Sequence, residues 1–307
     1  MLEALAANLG EVMRAGTSEA DAGADPGTSE AAGAGPLGAG PFGGDPFGGL
    51  LGMLAPLLLG LQAGSMIGYL AHHALGRYDL PLPTSDEPSL CFVVPNVVAF
   101  EEAWSLPRPD LRFYLALHEV VHAAQRSVPW VQERLVRLTT EYVSAYELDT
   151  AAFESKFGEI DPNDPTALGG IAEDPEALLG AMQSPRQAGL LAQLQSLSAV
   201  LEGYADSVLE RIGARLIPSF AQIHEAMKRH RLERGEAERF VQRLLGLELE
   251  REHYERGEAF CDGVVERAGV DGLNRLWERE SMLPTPAELE APGLWLARIE
   301  LPEEDSS

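Results

Sequence analysis

The sequence predicts a mainly α-helical protein with a small β element near residues 90–100. Two observations support this fold class. Most of the chain after residue 110 consists of segments typical of helices, and one short run concentrates β-branched and apolar residues. The helices are expected at residues 111–127, 130–152, 186–212, 218–232, 235–247, 250–268 and 271–278.

The predicted β element is the run Leu90-Cys-Phe-Val-Val-Pro-Asn-Val-Val-Ala-Phe100, which fits one or two short strands. Pro95 has no backbone N–H to donate to a neighbouring strand. It therefore predicts either an edge position or a break within the run.

The remaining segments differ from one another in composition. Residues 1–14 carry an apolar stripe and predict a short amphipathic helix, whereas residues 15–49 hold eleven glycines and four prolines and predict a disordered linker. A folded domain is expected from 50 to 300, interrupted by an acidic excursion at 155–185 that contains three Asp-Pro pairs. Residues 301–307 form an acidic tail.

An uncharged stretch near the start of this domain raises the question of a membrane span. Residues 46–76 contain no Asp, Glu, Lys or Arg, and the apolar centre at 50–70 is long enough to cross a bilayer. Its flanks, however, lack the clustered positive charge that orients a span, and its glycines favour close helix packing. We therefore expect a buried helix, kinked or broken at Pro56, and no membrane partner.

The overall charge and the cysteine usage restrict the partners and the compartment. A net charge of -25 argues against nucleic acid as a partner. The two cysteines, Cys91 and Cys261, make no disulfide framework, and residues 1–14 lack the basic start of a secretory signal. Together these features predict a cytoplasmic protein.

One motif carries most of the chemical information. His118, Glu119 and His122 form an HExxH sequence inside an apolar segment, with Pro109 before it and Pro129 after it. On a helix, residues four apart share a face, so both imidazoles can bind one zinc ion, while Glu119 can reach a water on that ion. The alternative is a core helix with two incidental histidines, which would bury three polar groups without partners.

A zinc site of this kind needs a third protein ligand. Glu141 and Glu147 lie 19 and 25 residues after His122, at a spacing common in zincins. Glu202 is the favoured candidate because Asp206 follows it one helical turn later. Asp206 would then accept a hydrogen bond from a zinc-bound histidine. The alternative for this pair is a solvated acidic helix face.

Other polar residues have more ordinary interpretations. The basic stretch from Lys228 to Arg234 predicts a solvated helix face, because acidic residues alternate with basic ones further on. His224 and His230 are expected on helix surfaces, and His72 with His73 at an exposed helix end.

The motifs of the chain occur in an order that resembles a known family, the bacterial zincin-like metallopeptidases often labelled "coenzyme F420 biosynthesis-associated". The resemblance covers about residues 48–300. It is carried by Leu75-Gly-Arg-Tyr-Asp79, Pro95-Asn96, His118-Glu-Val-Val-His122, Val128-Pro-Trp130, Leu201-Glu-Gly-Tyr-Ala-Asp206, Leu244-Leu-Gly-Leu247, Tyr254 with Gly257, Leu283-Pro-Thr-Pro286 and Trp295-Leu.

This resemblance implies a soluble, mainly helical zincin-like domain that binds Zn²⁺ and acts on a peptide or protein substrate. In zincins, an edge strand beside the active helix binds the substrate backbone, which makes residues 90–100 a candidate. Tyr254 is the candidate second donor to the oxyanion, because Gly257 on the same predicted helix matches the family pattern. A core tyrosine is the alternative.

The expected reaction is hydrolysis of a peptide (amide) bond of the gluzincin type. His118, His122 and Glu202 would hold zinc, and Glu119 would take a proton from the zinc-activated water and pass it to the leaving amine. Two alternatives stay open. The zinc site could serve structure or partner binding with little turnover, or the substrate could be a non-peptide amide.

Overall fold

The computed structural model of the chain describes residues 68, 71–79, 89–145, 184–233, 235, 239 and 242–300. The predictions for residues 1–14, 15–49 and 301–307 lie outside the described residues. So do nearly all of the apolar segment 50–70, the acidic excursion up to residue 183, and residues 236–238 and 240–241 of the helix predicted at 235–247.

Within the described residues the chain is mainly helical, as predicted. The helices are α1 (Val94–Ala103), α2 (Arg108–Ser127), α3 (Pro129–Ser144), α4 (Pro185–Leu216), α5 (Phe220–Leu232), α6 (Arg251–Asn274), α7 (Pro286–Glu290) and α8 (Pro292–Glu300). Two short 3₁₀ helices, Arg275–Trp277 and Glu280–Met282, follow α6. None of the described helices combines the length and hydrophobicity of a membrane span.

Proline and glycine set several helix boundaries where the sequence predicts them. Pro109 lies in the first turn of α2, where a missing N–H is tolerated, and α2 ends just before Pro129, which begins α3. Gly269 interrupts α6 with a φ of 72°, a left-handed value that favours glycine. That interruption falls between the two helices predicted at 250–268 and 271–278.

The predicted β element is wrong for residues 94–100, which form most of α1. Pro95 stands in the first turn of that helix, and Val97 and Phe100 bury one of its faces in the core. Proline suits a helix start as well as a strand edge, and tertiary burial overrides the β-propensity of the valines. Among the described residues, Phe92 makes only an isolated antiparallel bridge, to Gly76.

The chain divides into two compact units. Residues 1–65 and 142–188 form one, in which the described Ser184 and Gln187 donate hydrogen bonds to the Ala145 and Tyr142 carbonyls at 2.7 and 3.1 Å. Residues 66–141 and 189–307 form the other. All of the candidate site residues that the structure describes belong to this second unit.

Two apolar clusters of described residues lie in the second unit and flank the candidate site residues of α4. The first joins α1, α2 and α5 with the C-terminal part of α4, and it includes Phe100, Leu111, Leu209 and Ile223. The second joins α6, the two 3₁₀ helices, α7 and α8 with Val200 of α4. Helix α4 thus contributes to both clusters, and its residues 201–206 lie between those two contributions.

Helices α4 and α6 approach each other at a pair of glycines. A Cβ built on Gly203 would overlap the Gly257 carbonyl group, and a Cβ built on Gly257 would overlap the Ala199 carbonyl. Only glycine allows two helix backbones to come this close. The contact fixes the position of α4 one residue after Glu202.

Gly203→Ala should therefore destabilise the protein, because the added methyl group forces the two backbones apart. We expect a loss of about 1–3 kcal/mol in the free energy of unfolding, measured in urea. Gly189→Ala on the same helix is the matched control, since a Cβ there meets no atom within 4 Å. It should be neutral or stabilise by up to about 1 kcal/mol. Equal stabilities of the two variants would contradict the close helix contact.

Candidate metal centre

Helix α2 presents the HExxH side chains on a buried face. The side chains of His118, Glu119 and His122 are each less than a tenth exposed. The two imidazole rings lie one helical turn apart with their centroids 4.5 Å from each other. Apolar neighbours such as Leu111 and Leu115 bury the helix, which places both rings in the interior. The predicted helix with one histidine face is confirmed.

Helix α4 brings a carboxylate to these histidines. Glu202 Oε1 lies 3.9 Å from His122 Nε2, and one potential ligand atom from each of His118, His122 and Glu202 lies within 4.8 Å of the others. Around a tetrahedral zinc ion, neighbouring ligand atoms are about 3.4 Å apart, so a small closure would fit. His122 Nε2 is buried and has no hydrogen-bond partner among the described residues. Two imidazoles and a carboxylate therefore suit a zinc ion.

The other candidate ligands do not join this group. Glu141, in the last turn of α3, is not part of the described cluster, and Glu147 lies outside the described residues. Asp206 sits one turn after Glu202, as predicted, but the predicted bond to a histidine is absent from its described contacts. Both of its carboxylate oxygens accept hydrogen bonds from Arg231 Nη2, at 2.9 and 3.0 Å.

Arg231 is the main residue that the sequence interpretation missed. It belongs to the stretch predicted as a solvated face, and that prediction is wrong for this residue, which is 7% exposed. Its Nη1 also donates to Glu202 Oε2 at 3.0 Å, so one guanidinium holds two carboxylates. The spacing of the sequence could have indicated its burial, since Ile223, Met227 and Arg231 are four residues apart and share the buried face of α5.

Backbone groups hold the Glu119 carboxylate. The amides of Arg77 and Tyr78 donate to Glu119 Oε2 and Oε1, each at 3.0 Å. A Cβ on Gly76 would lie 2.5 Å from Glu119 Oε1, so glycine is needed for this approach. Burial raises the pKa of Glu119 to about 7, although the two amide hydrogen bonds act to lower it. No side-chain pattern could have shown a contact made by backbone amides.

The two histidines are held in the neutral form that binds metals. Burial lowers the pKa of His118 to about 3, and the neighbouring His122 adds to this effect. Burial also lowers the pKa of His122 to about 3, and the positive charges of Arg126 and Arg231 contribute. The ring of Tyr78 stacks beside His122, with centroids 6.2 Å apart.

The predictions for the remaining candidate residues agree with the structure only in part. Tyr254 is half-buried, and its ring lies beneath Arg231, whose guanidinium carbon is 5.3 Å from the ring centroid. His224 is buried against expectation, with its Nδ1 2.8 Å from the Tyr114 hydroxyl oxygen. His230 is partly buried, with its Nε2 3.8 Å from Asp79 Oδ2. His72 and His73 are exposed, as predicted.

Comparison with known families gives the same type of protein. The profile of a family described as zincin-like metallopeptidase matches residues 2–296, nearly the whole chain. The chain belongs to the zincin-like metallopeptidase family. This membership agrees with the helical fold and with the resemblance inferred from the sequence motifs.

A solved structure is also similar to this zincin-like metallopeptidase. It is the crystal structure of a candidate hydrolase with a novel fold from Chloroflexus aurantiacus. The two sequences are 30% identical, and the match covers 83% of this chain and 72% of the other, with a TM-score of 0.58. The comparison with curated proteins gives no significant match. Family and structural neighbour together support a hydrolase.

Three buried histidines should make the metal-free protein sensitive to acid. The folded protein keeps His118, His122 and His224 neutral, with pKa values of about 3, 3 and 4, whereas the unfolded chain binds a proton at each near pH 6.5. Each histidine therefore lowers the free energy of unfolding by up to about 1.4 kcal/mol for every pH unit below 6.5. Glu119 instead adds stability as the pH falls from about 7 to 4.5, since its pKa is higher in the folded protein than in the unfolded chain.

Because the three histidines outweigh Glu119, we expect the melting temperature of the metal-free protein to fall steadily from pH 6.5 to 4.5. Calorimetry at several pH values measures this slope. His224→Gln should make the slope shallower by about half, because Glu119 offsets one of the three histidines and a second histidine is then gone. A melting temperature that stays level or rises over this range would contradict the assignment of buried neutral histidines.

Proposed function

We propose that the chain is a zinc-dependent hydrolase of the gluzincin type that cleaves peptide bonds. His118, His122 and Glu202 would hold the zinc ion, and Glu119 would act as the general base. The observation that carries this proposal is the buried group of two imidazoles and one carboxylate, with the HExxH glutamate fixed beside it. Membership in the zincin-like metallopeptidase family supports the same function.

A zinc ion bound there would supply two effects, activation of a water molecule at neutral pH and polarisation of the substrate carbonyl. The donor set suits zinc because imidazole nitrogen and carboxylate oxygen are ordinary zinc ligands. The residues of the chain would orient the ligands and transfer the proton.

Glu119 would move that proton in two steps. Its carboxylate accepts a proton from water as the water oxygen attacks the carbonyl carbon, and it then donates this proton to the leaving nitrogen. The Arg77 and Tyr78 amides fix the carboxylate for both steps. The pKa of about 7 suits a group that must accept and release a proton near neutral pH.

Arg231 and Asp206 would position Glu202. Arg231 binds Glu202 Oε2, so Oε1 is the oxygen that faces His122 and is available to a metal. Asp206 holds the same guanidinium through both of its oxygens. We therefore propose that Asp206 supports the ligand carboxylate through Arg231, in place of the direct bond to a histidine that the sequence suggested.

The oxyanion role predicted for Tyr254 remains a proposal. Its described contact, the ring beneath Arg231, brings the residue to the edge of the candidate site. If its hydroxyl stabilises the oxyanion, Tyr254→Phe should lower turnover about 10²-fold or more with unchanged zinc content. Turnover equal to wild type would contradict the oxyanion role of Tyr254.

A zinc site with little turnover is the second candidate function. Both oxygens of Glu119 already accept backbone hydrogen bonds, which is the observation that favours a structural or partner-binding role.

The cytoplasmic location and the association with coenzyme F420 are further proposals that rest on the sequence. Cell fractionation tests the location, and the coenzyme content of a deletion strain tests the association.

Glu119→Gln should separate the two functions. We expect the variant to bind about one zinc per chain, as in wild type, and to lose at least about 10²-fold in cleavage of a peptide library. Glu141→Gln is the matched control, because this half-buried acid on α3 is outside the described metal group. Chelator-sensitive cleavage by wild type that persists in Glu119→Gln would disprove the general base. Zinc without any chelator-sensitive cleavage in wild type would favour the structural role.

A further inference from the structure

A second buried arginine lies beside the candidate metal centre. Arg126 follows His122 by one turn of α2, so the two side chains share a helix face. Arg126 is only 6% exposed, and its Nε and Nη1 atoms are buried without a hydrogen-bond partner. In the part of the chain that the structure describes, no carboxylate lies within ion-pair distance of it.

The contrast with Arg231 shows what Arg126 lacks. Arg231 is equally buried, but two carboxylates and the ring of Tyr254 surround its guanidinium. A buried charge without such partners is strongly unfavourable. The C-terminal end of α2 favours a cation in its last turn, but this effect is much smaller than the penalty for burying an unpaired charge. Arg126 therefore has the properties of a group whose anionic partner arrives with a ligand.

The charge of Arg126 lies close enough to the proposed metal ligands to interact with them. Its positive charge contributes to the lowered pKa of His122, and the Glu202 carboxylate acts to raise the pKa of Arg126 itself. Burial lowers that pKa to about 10, so the guanidinium stays charged at neutral pH. An anion that pairs with Arg126 would accordingly lie near both His122 and Glu202.

We propose that Arg126 forms an anion-binding subsite next to the metal centre and that it recognises a carboxylate of the substrate. The substrate class would then be a peptide or other amide with a free carboxylate close to the scissile bond. A guanidinium suits this role because its planar N–H donors match the two oxygens of a carboxylate. The proposal rests on the proposed hydrolase function and adds a determinant of specificity to it.

Two matched probes test this subsite on the zinc-loaded full chain by calorimetric titration. Succinic monohydroxamate offers a metal-binding hydroxamate and a free carboxylate, and its carboxamide analogue has the same hydroxamate without the charge. We expect wild type to prefer the carboxylate probe by about 10-fold or more. In Arg126→Gln, this preference should fall to about 1, while the carboxamide probe should bind as tightly as in wild type.

Arg108→Gln is the control, because it removes one positive charge from the exposed start of the same helix. Its side chain is 63% exposed, and Arg112 still holds their shared partner Glu101 when Arg108 is replaced. The control should keep the full preference for the carboxylate probe. Loss of the preference in both variants would attribute it to the general charge of α2 and overturn the subsite.

Three further results would overturn the proposal. They are no preference in wild type, an undiminished preference in Arg126→Gln, and equal weakening of both probes in that variant, which would place Arg126 at the metal-binding group. The carboxamide probe reports separately on the metal centre. If wild type binds neither probe and holds no zinc by elemental analysis, the proposed metal centre fails, and the subsite fails with it.

The same variant also distinguishes a ligand-binding role from a structural one. Because Arg126→Gln removes an unpaired buried charge, the metal-free variant should melt at the same temperature as wild type or higher. A clearly lower melting temperature would reveal a structural partner and contradict the proposal.

The source of the carboxylate is tested with a pair of peptide hydroxamates. One has a free C-terminus and no acidic side chain, and the other has an amidated C-terminus and one aspartate. The member whose binding weakens at least about 10-fold in Arg126→Gln identifies the source. Weakening of neither peptide would contradict recognition of a substrate carboxylate.

Discussion

The candidate site depends on the buried ion pairs between Arg231 and the two carboxylates of α4. Glu202 and Asp206 lie one turn apart in the interior, and two buried negative charges need a cation. Arg231 provides it from α5 and determines which oxygen of Glu202 faces His122. Loss of one partner of such a buried pair costs about 3–5 kcal/mol. The contacts whose loss would destabilise the fold therefore also orient the proposed metal ligand.

Close helix packing brings these groups to the right place. Gly203 lets α4 approach α6 directly after Glu202, and Gly76 lets a backbone turn approach Glu119 on α2. At Gly76 the absence of a side chain allows two backbone amides to hold Glu119, and at Gly203 it allows two helix backbones to meet. The proposed metal centre thus has each carboxylate fixed on a rigid element, which limits the reorganisation that binding and proton transfer require.

The groups that lie close together in the sequence were predictable, and those that meet only through the fold were not. The HExxH face follows from helix geometry, and Glu202 with Asp206 follows from a second spacing of the same kind. The partner of Asp206 could not be predicted, because Arg231 comes from a distant helix within a locally basic stretch. The amides that hold Glu119 have no sequence signal at all. For α1, a β-branched composition gave the wrong secondary structure, because burial of Val97 and Phe100 decided the outcome.

The most direct measurement is a crystal structure of the zinc-loaded chain with anomalous data at the zinc edge. We predict one zinc ion bound by His118, His122 and Glu202 Oε1 at about 2.0–2.2 Å, with Arg231 still paired to Glu202 Oε2 and Asp206. A zinc ion completed by another carboxylate such as Glu141 or Glu147, with Glu202 bound to Arg231 alone, would contradict the central claim.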